Sequence, residues 1–204
     1  MDKSTGVAEV YNKIAKPYAK EFSRPSDYID NFITYLPKNG RVLDIGCGPG
    51  FDSSYFVAKG FKVMGVDLSK EMLLLAKKNC PGGEFKNLDF RKLDFPERSF
   101  DGIFASCSLI HIPKSDVLPT LKKFFKMLKP GGVIYISLQG GKPEEVFLVE
   151  PLKPDEKTFL NVMSLEEITG LLDKAGFVVV EKHTRKPISS MEWNFEHLFV
   201  IAKR

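Results

Sequence analysis

The chain has 204 residues, enough for one well-buried α/β domain and too few for two full ones. Hydrophobic residues make up 43% and charged residues 27%, an ordinary globular balance that excludes a disordered or fibrous chain. The net charge of +4 rests on scattered lysines with short clusters such as Lys77-Lys78 and Lys122-Lys123, a solvated surface rather than a nucleic-acid-binding face.

No apolar run approaches membrane-spanning length, and the start Met-Asp-Lys-Ser-Thr-Gly lacks the apolar core of a signal peptide. The expected location is the cytoplasm, with no membrane partner. Cys47, Cys80 and Cys107 are far apart and form no C-x-x-C pair, so neither a metal site nor a disulfide framework is expected.

Val7 to Phe22 carries apolar residues at spacings of three and four, which predicts a helix that breaks or kinks near Lys16, ahead of Pro17. A second helix, Tyr28 to Leu36, follows Ser26 as a candidate N-cap. These two helices either cover a ligand cleft or pad one face of the sheet. An apolar strand, Val42 to Ile45, then runs into Gly46-Cys-Gly-Pro-Gly50 and a helix from Asp52 to Lys59 ended by Gly60. Phe61 to Val66 predicts a second strand ending at Asp67, and Ser69 caps a helix to about Asn79. Strands follow at Glu84 to Leu88, ending at Asp89, and at Phe100 to Ala105.

Asp116 to Leu128 reads as a helix capped by Ser115 and stopped by Lys129-Pro-Gly-Gly132, before a fifth strand from Val133 to Leu138. Gln139 to Asp155 is the least regular stretch, a linker or substrate-side loop. Ser164-x-x-Glu167 is a capping box opening a helix through Ala175 with Gly176 after it. Phe177 to Thr184 and Phe195 to Ala202 are strands with no helix between them, so they pair antiparallel. Strands alternating with helices predict right-handed crossovers and a parallel sheet.

The glycine loop and the acids after it carry the chemistry. Glycine is required where the backbone takes φ > 0 or lies against a ligand. Asp44, Asp67 and Asp89 follow three consecutive strand ends. A carboxylate after the second strand can accept both ribose hydroxyls of an adenosyl group, and one after the third can accept the adenine amine. The nicotinamide fingerprint G-x-G-x-x-G differs from this loop at its third glycine.

Asp44-Ile-Gly-Cys-Gly-Pro-Gly50 resembles the first motif of the class I S-adenosylmethionine (SAM) dependent methyltransferases. Asp89 to Asp101 resembles that family's stretch from adenine loop to fourth strand, and Leu128-Lys-Pro-Gly-Gly132 its helix end before the fifth strand. Within the family, the local pattern is closest to the broad group that includes the quinone-biosynthesis C-methyltransferases. The resemblance implies an α/β, Rossmann-like three-layer sandwich, its seven-stranded sheet mostly parallel with an antiparallel C-terminal hairpin. It implies one domain over 1–204, divided into a helical cover (1–38), a SAM-binding core (40–138) and a substrate-side loop with the closing helix and strands (139–204).

The implied cofactor-binding residues are Asp44, Gly46, Cys47, Gly48, Gly50, Asp67, Leu68, Asp89, Phe90 and Ser106, with Tyr18 and Arg24 as candidates over the methionine end. His111, in Ser108-Leu-Ile-His-Ile-Pro113, stands where the family's substrate pocket begins and is the candidate general base, or a residue that orders the loop. Asp94 and Asp101 read as turn or capping residues, and His183 and His197 have no assigned role. Ala105-Ser-Cys-Ser108 lacks the N/D-P-P-Y/F of adenine-N6 enzymes, which turns the expectation from nucleic acid toward a small-molecule acceptor, with S-adenosylhomocysteine (SAH) as product. The expected assembly is a monomer or homodimer. The alternatives are an RNA or protein methyltransferase, a non-catalytic SAM-binding scaffold and, more distantly, a nicotinamide oxidoreductase.

Overall fold

The computed structural model describes residues 3–204. Seven strands form one sheet: β1 (Arg41–Ile45), β2 (Lys62–Asp67), β3 (Glu84–Asn87), β4 (Phe100–Ser106), β5 (Leu128–Gly140), β8 (Val178–Arg185) and β9 (Glu196–Lys203). Their spatial order is β3-β2-β1-β4-β5-β9-β8. The first five are mutually parallel, whereas β9 runs antiparallel to both β5 and β8. The strand order reverses between β1 and β4, and a crevice opens there at the carboxyl ends of the strands.

Successive residues of a strand face opposite sides, so a sheet covered on both faces needs apolar residues at nearly every position. Leu43, Ile45, Ile103 and Ile134 face one layer, with α5 (Lys114–Met127) and α6 (Leu165–Ala175) packed against them. Val42, Phe104, Val133 and Tyr135 face the other, which receives Phe32 of α2 (Ile29–Thr34) and Phe56 of α3 (Phe51–Ala58). Phe104 and Tyr135 stack with ring centroids 4.2 Å apart. The Tyr135 hydroxyl donates to the Asp27 carbonyl at 2.7 Å, which ties the chain before α2 to this layer.

Helix α1 (Lys3–Glu21) lies against α4 (Lys70–Asn79) and the hairpin of β6 (Glu144–Glu150) and β7 (Lys153–Val162), over the open end of the crevice, while α2 pads the sheet face. The helix passes through Pro17 without ending. Pro17 sits on the exposed side, so water can reach the Lys13 carbonyl that lost its donor. Buried Val7, Val10, Ile14 and Ala15 hold the helix in place. Ser26 is not the cap of α2, because its side chain reaches Asp52 instead and left-handed Tyr28 precedes the helix. Helix α5 begins at Lys114, one residue before the expected cap, and its first amide donates to Glu145 Oε1 at 2.7 Å.

The region from Gln139 to Asp155 is not an irregular loop. β6 (Glu144–Glu150) and β7 (Lys153–Val162) form a separate antiparallel hairpin, pairing Val146 with Leu160 and Leu148 with Thr158. Its inner strand carries a buried run from Thr158 to Val162 that packs on α1. The capping box is observed at α6, where Ser164 Oγ accepts the Glu167 amide at 3.1 Å, and Gly176 ends the helix at φ 100°. Among the described residues, no helix is long and apolar enough to cross a membrane.

Candidate functional site

The turn after β1 shapes the floor of the crevice. Gly48 takes φ +50°, and a Cβ there would meet no atom within 4 Å, so the backbone presents a bare edge to the cleft. Its amide donates to Asp67 Oδ2 at 2.9 Å, and the Ser69 amide donates to Asp67 Oδ1 at 2.8 Å. The carboxylate at the end of β2 is thereby fixed by two backbone donors, with one lone pair on each oxygen left for a ligand. Burial raises its pKa, and these amide bonds oppose the rise.

Two adjoining cavities occupy the crevice, of about 190 and about 90 Å³, sharing Tyr11, Tyr18, Gly46, Gly48, Ser106 and Cys107. The smaller one is walled by Asp67, Leu68, Met72, Asp89 and Phe90. Buried Ser108, whose Oγ has no hydrogen-bond partner among the described residues, also borders it. The larger one extends from Cys47 and Asp52 toward Arg24, Gln139, Glu150 and Arg185. Helix α1 supplies the roof through Tyr11 and Tyr18. It is docked by Asn12 Oδ1, which accepts the Ser69 hydroxyl at 2.8 Å and the Glu71 amide at 3.2 Å.

Of the residues expected from sequence, Gly46, Cys47, Gly48, Asp67, Leu68, Asp89, Phe90, Ser106, Tyr18, Arg24 and His111 line these cavities. Asp44 and Gly50 lie behind the wall. Asp44 is 2% exposed and accepts the Ser53 hydroxyl at 2.6 Å. Burial first, then the nearby Asp52 charge, pushes its pKa up to about 8. Gly50 faces α4, where its Cβ would stand 2.8 Å from the Ala76 Cα. Asp101 is far from the cleft, accepting the Arg41 amide at 2.8 Å and Lys129 Nζ at 2.9 Å.

Asp89 accepts three donors of Arg91: the backbone amide, Nε and Nη2. Nε also reaches Oδ2 at 3.1 Å, so the roughly four lone-pair directions of the carboxylate are all engaged. His111 is held from both sides. Its Nδ1 donates to the Phe159 carbonyl at 3.0 Å, which leaves Nε2 to accept the Tyr11 hydroxyl at 3.0 Å. Burial pushes its pKa down to about 4, so the ring is neutral at physiological pH.

Several lining residues gave little sign of themselves in the sequence. Ser26 donates through Oγ to Asp52 Oδ2 at 2.7 Å, and Ser106 Oγ lies 2.9 Å from Ser26 Oγ and 3.1 Å from Ser137 Oγ. Asp52 alone had a local signal, an acid in the first turn of the helix behind the glycine loop. Its pKa is raised by burial too, and Asp44, Asp52 and Asp67 place three carboxyl groups around the loop, whose charged forms a cationic ligand would favour. The bare Gly48 edge, the anchored Asp67 and the orphaned Ser108 hydroxyl fit an adenosyl cofactor with a positively charged sulfonium end.

A methyltransferase domain family matches residues 18–182. YqeM of Bacillus subtilis (strain 168) is 34% identical over 146 residues, covering 68% of this chain and 59% of YqeM. Phosphoethanolamine N-methyltransferase 1 of Zea mays is 33% identical over 167 residues, covering 77% of this chain and 32% of that protein. The chain thus spans only part of the length of these relatives. In fold, it superposes on a SAM-dependent methyltransferase from Methanosarcina mazei with a TM-score of 0.76 at 23% identity, covering 89% of this chain and 98% of that one. With a family match across most of its length and a seven-stranded, Rossmann-like sheet, the chain belongs to the class I SAM-dependent methyltransferases.

Proposed function

We propose that the chain transfers a methyl group from SAM to a small-molecule acceptor and releases SAH, acting in the cytoplasm as a monomer or homodimer. The observation that carries this reading is Asp67, held by the Gly48 and Ser69 amides so that both carboxylate oxygens keep a lone pair for the ribose hydroxyls. Phe90 supplies an apolar wall for the adenine, and Asp89, its carboxylate held by Arg91, stands beside it. Gly46, Cys47 and Gly48 border the methionine part, with Tyr18, Arg24 and Ser106 around it and Asp52 as the carboxylate nearest its ammonium. Asp44 supports this floor through Ser53, and Gly50 through its packing on α4.

SAM, when bound, supplies a methyl group already activated on a sulfonium, so the protein has to bind, orient and exclude water. Tyr11 and Tyr18 close the roof over the shared wall of the two cavities. His111 orients the Tyr11 hydroxyl and acts as a positioning residue, because its one lone pair is already engaged and its pKa of about 4 makes it a poor base. The carboxylates around the larger cavity disfavour a nucleic-acid backbone as acceptor.

Calorimetric titration with SAM, SAH and NAD tests the reading. Micromolar binding of SAM and SAH with none of NAD is expected. Binding of NAD alone, or of none of the three, overturns it.

A further inference from the structure

The larger cavity has an excess of carboxylates that its own arginines do not neutralise. Asp27, Asp52, Glu150 and Glu192 border it, against Arg24 and Arg185. Arg185 is committed to two of them, with Nε 2.6 Å from Asp27 Oδ2 and Nη2 2.8 Å from Glu192 Oε1. Arg24 is 61% exposed and 3.6 Å from Asp27. Asp52 and Glu150 therefore have no cationic partner among the described residues. The methionine end of SAM brings a sulfonium, an ammonium and a carboxylate, a net charge of +1 that offsets Asp52. Glu150 is left over.

Glu150 is 4% exposed and stands at the end of β6, across the cavity from the glycine loop. Its neutral partners hold it in place: Oε2 accepts the Thr158 hydroxyl at 3.1 Å and Oε1 the Leu152 amide at 3.3 Å. Beside it, Trp193 Nε1 donates to the Val149 carbonyl at 3.1 Å, which brings an indole to the same rim. An independent observation points to a missing ligand. Gln139 borders the cavity, is 4% exposed, and its Oε1 has no hydrogen-bond partner among the described residues. An unpaired buried carboxylate and an unpaired buried carbonyl are costly in isolation and match a ligand rich in N–H donors.

We propose that the methyl acceptor is a small amine whose ammonium is received by Glu150, with Gln139 Oε1 accepting a second N–H and Trp193 and Tyr18 flanking the charge. This assignment rests on the methyltransferase reading above. The aromatic rings stabilise a cation through their faces and tolerate added methyl groups. An ammonium has no free electron pair, so one N–H proton must leave before nitrogen can attack. The Glu150 carboxylate takes that proton, and the pair left on nitrogen forms the N–C bond to the methyl group as the methyl's C–S bond breaks, its electrons staying on sulfur, so that SAH and a methylated ammonium result. Burial raises the Glu150 pKa, which makes its carboxylate a stronger base toward that proton.

The test is calorimetry on the full chain saturated with SAH, titrated with ethylammonium, butylammonium and benzylammonium and with the three matched alcohols. At least one ammonium is expected to bind tenfold or more tightly than its alcohol. Glu150→Gln is expected to abolish that preference while leaving SAH affinity within twofold. Equal binding of amine and alcohol, no binding of any ammonium, or a preference surviving in Glu150→Gln overturns the assignment. Should Glu150→Gln fail to fold, the comparison on the unmodified protein still decides. Failure of SAH itself to bind overturns the methyltransferase reading and this inference with it; SAH binding without an ammonium preference overturns this inference alone.

Discussion

His111 Nε2 lies 3.0 Å from the Tyr11 hydroxyl, and the same ring reaches the Phe159 carbonyl through Nδ1. One imidazole therefore joins the roof helix α1, the turn after β4 and the inner strand of the β6–β7 hairpin above the cofactor cavity. The Tyr11 bond requires the neutral ring, because a protonated Nε2 no longer accepts the hydroxyl, whereas the Nδ1 bond survives protonation.

That requirement makes stability depend on pH. Burial lowers the native pKa of His111 to about 4, below its ordinary value of 6.5. Between these values the unfolded chain binds the proton and the native chain does not, so the His111 contribution is complete above about pH 6.5 and is lost as pH falls toward 4. From pH 7 to pH 5 the unmodified protein should lose on the order of 2 kcal/mol more stability than His111→Gln. Comparing the two proteins cancels the buried carboxylates, whose raised pKa values act in the opposite direction. Urea unfolding at both pH values is the measurement, and parallel losses would refute the assigned protonation state.

Asp67→Ala removes the carboxylate that the Gly48 and Ser69 amides hold, the proposed acceptor of the ribose hydroxyls. It leaves those two donors and both ribose hydroxyls without their partner, at a cost of about 1–3 kcal/mol each when desolvated. SAM and SAH affinities should fall together by well over tenfold. Calorimetry on the variant checks this, and unchanged affinity would remove Asp67 from the site.

Asp44 titrates in the other sense. Its native pKa of about 8 lies above the ordinary carboxylate range because burial and the Asp52 charge oppose ionisation. Stability from this group is complete at low pH and is lost as pH rises from about 4 toward 8. Asp44→Asn keeps an oxygen for the Ser53 hydroxyl and removes the ionisation. The ligand-free variant should melt several degrees above the unmodified protein at pH 8, with the gap closing near pH 5. A constant gap across that range would contradict the shift.

What could be read from sequence was local. The run from Val42 to Gly50 declares strand, turn and helix within one stretch, and Asp67 and Asp89 stand at strand ends, where a parallel sheet opens its crevice. The hairpin stayed hidden because Pro143, Pro151 and Pro154 read as loop signals, although they fall before β6, in the turn and near the start of β7. Glu150, Gln139 and Arg185 have no local signature, since they converge only when the hairpin and the last two strands fold back over the sheet. Asp44 shares the motif, and the structure places it against Ser53, outside the lining of the two cavities. Tyr11 stands on an apolar helix face, and at the open end of the crevice that face is also the roof.

Gly50 shows that a glycine in a binding motif can serve packing. It takes φ +82°, which costs an L-residue roughly 1–2 kcal/mol. A Cβ there would stand 2.8 Å from Ala76 Cα and 3.0 Å from Ala76 Cβ, against backbone that cannot rotate away. Crowding of this kind in a packed core adds about 1–3 kcal/mol. Gly50→Ala should therefore destabilise the fold by about 2–5 kcal/mol in denaturant titration. Gly48→Ala, with open space at its Cβ, carries the conformational cost alone and should destabilise less. Its methyl group would enter the open space where the cofactor is proposed to bind, so its main effect should be on SAH affinity. Measuring both quantities on both variants separates the roles: a large stability loss at position 50 and a large affinity loss at position 48 are expected, and the reverse pattern would exchange them.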